Sequence, residues 1–201
     1  MKPFKTKSIF QLKVTLKDIN PPLWRQLLVS PSTTLFELHD VLQLAMGWTD
    51  SHLHEFIKGD DHFQPPDPNP DPFNETEYTD SRDVPLSRVL FKPGDHLDYL
   101  YDFGDAWEHD IVLEEILSAE PLRQYPLCLA GARACPPEDC GSTTGYENLV
   151  EAMKNPNHPD REDLITWFGR PYDPEEFDLG LINRDLEDPE KAWTRKIERF
   201  S

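Results

Sequence analysis

Cysteine, basic residues and long apolar runs are all scarce in this sequence, and each shortage excludes something. Three cysteines in 201 residues cannot all pair within one chain, and no Cys-x-x-Cys spacing occurs, so a reducing cytoplasm is the compartment they fit. No stretch approaches the roughly 18 consecutive apolar residues of a membrane helix. The opening Met1-Lys2-Pro3-Phe4-Lys5-Thr6-Lys7-Ser8 lacks the apolar region of an export signal, and the run after it is broken by Gln11 and Lys13. Neither a membrane partner nor export is expected. Lys and Arg total 20 against 38 Asp and Glu, a net charge of -18, which repels phosphate backbones and disfavours generic nucleic-acid binding. A local exception is the first thirty positions, where Lys2, Lys5, Lys7, Lys13, Lys17 and Arg25 face the single acid Asp18.

What is present first reads as strand. Phe10, Leu12, Val14 and Leu16 alternate with Gln11, Lys13, Thr15 and Lys17, and Asn20-Pro21-Pro22 turns the chain into a second strand, Leu23 to Val29. Thr34-x-x-Glu37 is a capping box that opens a helix, with Leu35, Leu38, Val41, Leu42, Ala45 and Met46 at helical spacing up to Gly47. His52 to Ile57 reads as a third strand. Residues 59–85, rich in Asp and Pro, read as an exposed mobile loop, and Pro85 to Phe91 as a short helical turn.

The most distinctive segment follows. Two alternating runs meet at a Gly104-Asp105 turn, a β-hairpin with Leu97, Tyr99, Tyr101 and Phe103 on one face and Trp107, His109, Ile111 and Leu113 inward on the return. Glu108, Asp110 and Glu114 fall on the wet side, which leaves His109 alone in an apolar row. Beyond Ser118, residues 119–145 read as a Cys/Pro/Gly-rich loop. Tyr146 to Lys154 and Arg161 to Phe168 then read as helices, and Asp173-Pro174 and Asp188-Pro189 each offer an Asp cap with Pro in the first helical position.

The expected class is therefore α+β: a β-grasp (ubiquitin-like) mixed sheet with one packed helix, plus a C-terminal helical extension. Residues 1–201 are read as a single domain, with a β-grasp-like core over 8–118 and the helical extension over 146–200. Trp167, Phe168, Phe177, Leu179, Leu181 and Trp193 dock the extension on that core.

Three constellations carry chemistry. His52 and His54 lie two apart on a strand and share a face with Phe56, a spacing that suits one metal or one ligand as well as two structural imidazoles. His39, between Leu38 and Asp40, reads as peripheral. Cys128, Cys135 and Cys140, with Glu138 and Asp139 between the last two and His109 as a further donor, offer a zinc site. They read equally as buried structural thiols, or as a reactive Cys140 near a helix start. Asp102, Asp105, Glu108 and Asp110 suit magnesium or acid-base work, while Asp102 and Asp105 also suit plain turn bonding. The candidate ligand-binding set is His52, His54, Tyr101, Asp102, Asp105, Trp107, His109, Glu138 and Asp139. Trp24, Trp48, Tyr99, Tyr101 and Trp107 otherwise read as core.

Several motifs in one order carry a resemblance: Pro21-Pro22-Leu23-Trp24-Arg25; Leu35-x-x-Leu38-His39 leading to Met46-Gly47-Trp48; His52-Leu53-His54-x-Phe56; Tyr101-Asp102-Phe103-Gly104-Asp105-x-Trp107-x-His109; and Cys135-Pro136-Pro137-Glu138-Asp139-Cys140-Gly141 with Gly145-Tyr146. From about residue 8 to about residue 190 the chain resembles the plasmid pRiA Orf-three-like family, whose members are labelled transposon-passenger or TnpR-like proteins. Serine recombination, which such a label implies, needs a nucleophilic Ser beside clustered Arg residues that hold the scissile phosphate. No such cluster is present. The expected role is a non-enzymatic binding or adaptor module associated with mobile elements, with a protein or a small molecule as ligand. The alternatives are a small metal-assisted hydrolase or thiol enzyme using His52, His54, His109 and the cysteine loop, and a DNA-linked accessory protein.

Overall fold

The alternating N-terminal stretches form strands β1 (Ser8–Leu16) and β2 (Leu23–Val29), paired antiparallel with Val14 opposite Arg25. Leu12, Val14, Leu23 and Leu27 are wholly buried, and full burial of each such side chain contributes about 1.5–3 kcal/mol. Helix α1 (Leu35–Met46) starts as its capping box dictates: the Glu37 amide donates to Thr34 Oγ1 (3.2 Å) and the Thr34 amide to Glu37 Oε2 (2.8 Å). It stops at Gly47, whose φ of 98° is a left-handed cap that an L side chain resists.

The computed structural model describes residues 8–66 and 77–200. Six further strands complete one sheet: β3 (His54–Lys58), β4 (Asp61–Gln64), β5 (Tyr78–Asp80), β6 (His96–Tyr101), β7 (Trp107–Ser118) and β8 (Leu127–Ala132). Their order is β5-β4-β3-β6-β7-β1-β2-β8, antiparallel except for the parallel pair β4–β5. A single turn, α2 (Leu86–Val89), and helices α3 (Ser142–Lys154), α4 (Arg161–Phe168), α5 (Leu179–Glu187) and α6 (Pro189–Phe200) make up the helical part. The fold is mixed α+β, and none of the described helices is long and apolar enough to cross a membrane.

Four expectations are corrected. The 59–85 stretch is more than a loop: it supplies β4, β5 and buried Phe63 and Val84, with Phe63 opposite Phe56; its residues 67–76 lie outside the described ones. The 119–145 stretch contains β8, which pairs with β2 at the sheet edge. There Asn183 of α5 brackets Cys128, its Nδ2 donating to the Cys128 carbonyl (3.0 Å) and its Oδ1 accepting the Cys128 amide (2.8 Å), so an edge that would invite pairing is covered. Asp173 makes a turn and not a helix start, accepting the Glu175 amide at 2.9 Å. Finally, the β6–β7 hairpin pairs Tyr101 with Trp107 across residues 102–106, with Asp102 and Ala106 at positive φ, and this wider loop turns Phe103 out to 46% exposure.

One continuous cluster of buried side chains runs from Phe10 to Ala192. Phe168, Phe177, Leu179 and Trp193 pack against it, whereas Trp167 and Leu181 are exposed. Arg25 is buried inside it with no carboxylate partner among the described residues. Its guanidinium donates to the carbonyls of Ala45 (2.9 Å), Trp24 (2.8 Å), Ala132 (2.9 Å) and Arg133 (2.8 Å), and so ties α1, β2 and the end of β8 together.

Candidate functional site

β6 places Tyr99 and Tyr101 on one face, their rings stacked 6.5 Å apart. Over them lie the histidines that precede and begin β3: His54 beside Tyr99 and His52 beside Tyr101, each 6.0 Å away between centroids. The two share a face, as their spacing required, yet each enters a different group of side chains.

The first group is built on His39, which is buried and central where the sequence suggested a peripheral position. Its ring lies flat on that of His54, 3.5 Å between centroids and 8° between planes. His39 Nδ1 lies 2.8 Å from the Tyr99 hydroxyl and Nε2 lies 2.8 Å from Asp50 Oδ1. Gln43 Nε2 donates to the same hydroxyl (3.1 Å), and the Asp50 amide donates to Gln43 Oε1 (2.9 Å). Counting donors and acceptors assigns the proton to His39 Nε2, because the hydroxyl accepts from Gln43 and donates to Nδ1. The result is a closed ring of four residues. His54 Nε2, by contrast, is buried without a partner among the described residues; burial first, and then the neighbouring His39 ring, pushes its pKa down to about 3. His39, Asp50 and His54 bring ligand atoms within 4.8 Å of one another. Lone pairs in two parallel ring planes cannot meet at one ion about 2.0–2.1 Å away, so this trio as it stands is not a metal centre.

The second group gathers around His52 Nε2: Asp139 Oδ1 at 3.1 Å, Asp102 Oδ2 at 3.6 Å and Glu138 Oε2 at 3.9 Å. Glu138 is fixed through its other oxygen, which accepts the Thr49 amide (2.8 Å), the Thr49 hydroxyl (3.1 Å) and the Tyr101 hydroxyl (2.9 Å). Tyr101 also accepts the Ser51 amide at 3.1 Å, and burial next to Glu138 raises its pKa.

An open cleft of about 490 Å³ adjoins both groups, lined by Phe36, His39 and Asp40 of α1, Asp50 to Leu53, His54 and Pro65. A second cavity of about 390 Å³ lies between Asn20, Arg133 and α3. Its arginine is already engaged by the Pro21 carbonyl (2.7 Å) and Glu175 (3.1 Å), so the first cleft is the one with chemistry in reserve.

Of the residues singled out from the sequence, His52, Tyr101, Asp102, Glu138 and Asp139 come together, and His54 lies alongside. Asp105 does not join them: its Oδ2 accepts the Gly141 amide (3.1 Å). Trp107 and His109 are core, with His109 held by the Trp107 carbonyl (3.0 Å) and its pKa pushed by burial down to about 4. Among the described residues, no close trio of ligand atoms contains a cysteine or His109. Burial also raises all three thiols, Cys140 up to about 12, the opposite of what a thiolate nucleophile needs. Sequence reasoning missed His39, Gln43, Asp50 and Thr49; the one available signal was the placement of His39 in the Leu35-x-x-Leu38-His39 motif.

Comparison with known proteins gives three findings. The model of the plasmid pRiA4b ORF-3-like protein family matches residues 8–180. The uncharacterized protein y4hQ of Sinorhizobium fredii is 36% identical over 193 residues, which is 96% of this chain and 97% of that protein. The crystal structure of MM3350, a protein of unknown function from Methanosarcina mazei Go1, superposes with a TM-score of 0.77 at 33% identity over 87% of this chain and 96% of that one.

Proposed function

As a chain that belongs to the plasmid pRiA4b ORF-3-like protein family, whose match takes in every strand and the cleft, we propose that it is a non-enzymatic binding or adaptor module associated with mobile elements. Its partner is held in the cleft between α1 and β3. The scaffold is read as β-grasp-like, with hairpin β1–β2, helix α1 and the returning strands β6–β7 acting as one unit in a reducing cytoplasm.

The observation that carries this is the make-up of the cleft. Phe36 and Leu53 stand exposed on its lip, 38% and 66% respectively, beside Pro65. Asp40 and Asp50 supply negative charge within it, and burial raises the pKa of Asp40. A volume of about 490 Å³ lies within the usual range of ligand pockets. An apolar lip beside carboxylates fits a protein segment that presents an apolar residue next to a Lys or Arg, and a net charge of -18 steers such a partner in.

The test is a fluorescence-polarisation screen of peptides pairing Lys or Arg with Leu, Phe or Trp against the full chain. Binding that weakens about tenfold in Asp50→Asn, and falls as salt is raised, supports the reading. Peptides that bind the Asp50→Asn chain equally well, or no binding in the series, would sink it.

A further inference from the structure

We propose that His52, Asp102 and Asp139, whose ligand atoms lie within 4.8 Å of one another, form a binding site for one divalent transition-metal ion, with Glu138 beside His52 but outside that ligand set. The site lies beside the cleft and shares His52 with it, but it does not depend on the cleft having a protein partner.

Three features support it. The first is spacing. An ion about 2.0–2.2 Å from nitrogen and oxygen ligands holds neighbouring ligands roughly 3.0–3.6 Å apart and opposite ones about 4.2 Å apart. His52 Nε2 lies 3.1 Å from Asp139 Oδ1 and 3.6 Å from Asp102 Oδ2, and the three ligand atoms all lie within 4.8 Å of one another.

The second is the state of the atoms. Among the described residues His52 Nε2 and Glu138 Oε2 are both buried without a hydrogen-bond partner, and the 3.1 Å approach of Asp139 is not aligned as one. A buried polar atom left unpaired costs about 1–3 kcal/mol; an ion on His52 Nε2 satisfies that nitrogen and sets positive charge near Glu138 Oε2, which lies 3.9 Å from it.

The third is preorganisation. Glu138 and Asp102 each commit one oxygen to the protein, Glu138 Oε1 to Thr49 and Tyr101 and Asp102 Oδ1 to the Gly104 amide (2.9 Å). The second oxygen of each faces His52. The Asp102 side chain is only 10% exposed, and its backbone is held at positive φ by the Asp102 amide donating to the Leu53 carbonyl (2.9 Å). Such outer bonds fix the orientation of metal ligands. One imidazole and two carboxylates suit Mn²⁺, Fe²⁺ or Zn²⁺; a ring nitrogen is a poor donor for Ca²⁺ or Mg²⁺.

The competing explanation is an imidazolium caged by carboxylates, and the experiment separates the two. Full-length, metal-stripped protein is titrated with Mn²⁺ while free ion is followed by electron paramagnetic resonance, then with Zn²⁺ in competition, in the absence of any peptide. The wild-type chain is expected to take up one ion, with affinity at least tenfold weaker in Asp139→Asn and Asp102→Asn and unchanged in His96→Gln, whose ring is exposed and pairs with Asp110. Asn at 102 keeps the acceptor that the Gly104 amide uses, and melting curves without metal check that the variants fold. In the wild-type chain, Zn²⁺ shifts the His52 Nε2 nitrogen resonance to that of a bound, unprotonated ring, a readout that needs no variant. No uptake, uptake undiminished in both ligand variants, or a His52 ring still protonated at saturating Zn²⁺ would overturn the site. Because no peptide is present, failure here leaves the peptide-cleft result unaffected.

Discussion

The rings of His39 and His54 lie 3.5 Å apart and nearly parallel, although 15 residues of chain separate them. Two protonated rings at that distance would repel strongly. The pair therefore favours an uncharged His54, and burial drives it the same way.

That arrangement fixes how stability responds to acid. Unfolded, His54 and His109 take up a proton near 6.5; folded, not until about 3 and about 4. Between these limits the unfolded state binds more protons, so their contribution is complete above pH 6.5 and is lost as pH falls toward 4. The slope is at most about 1.4 kcal/mol per pH unit for each ring. Melting temperatures should fall between pH 7 and pH 5, and less steeply in His109→Gln. A flat profile over that range would contradict the buried, uncharged rings.

Arg25→Met removes a guanidinium that serves four carbonyls. Loss of about 3 kcal/mol or more is expected in urea unfolding, since stranded buried acceptors cost more than the apolar stem regains. A loss below about 1 kcal/mol would show that water replaces the guanidinium.

Gly145 lies within α3, where Gly→Ala ordinarily stabilises by roughly 0.5–1 kcal/mol. Here an added Cβ would meet the Cys140 carbonyl oxygen at 1.8 Å. Gly145→Ala should therefore destabilise and, by displacing the 138–140 segment, weaken ion uptake as well. A more stable variant in thermal melting would refute that close approach.

Raised thiol pKa values make the cysteines sluggish. Ellman's reagent at pH 7.5 is expected to titrate none of the three quickly in the folded chain and all three after unfolding. One fast thiol in the native protein would reopen thiol chemistry.

How much of this could be read from residues alone depends on the range of the interactions. β1, β2 and α1 are written locally, in alternation and in Thr34 and Glu37. Strand β8 was hidden because Leu127-Cys128-Leu129-Ala130-Gly131-Ala132 has little alternating polarity; only its pairing with β2 and its bracket by Asn183 define it. Within the site, His52, Asp102, Glu138 and Asp139 were visible singly as donors, but they arrive from three separate segments. His39 was missed because α1 is buried on more than one side, and its second buried face is set by the tyrosines of β6, 60 residues away in the case of Tyr99.

The cleft as the partner's seat is tested most directly by a long-range ¹H–¹⁵N spectrum of the imidazoles, recorded as a peptide selected in the polarisation screen is added. Shifts at His39, His52 and His54, with His62, His96 and His158 unmoved, are the predicted result. Shifts confined to those outer histidines would place the partner elsewhere and contradict the account.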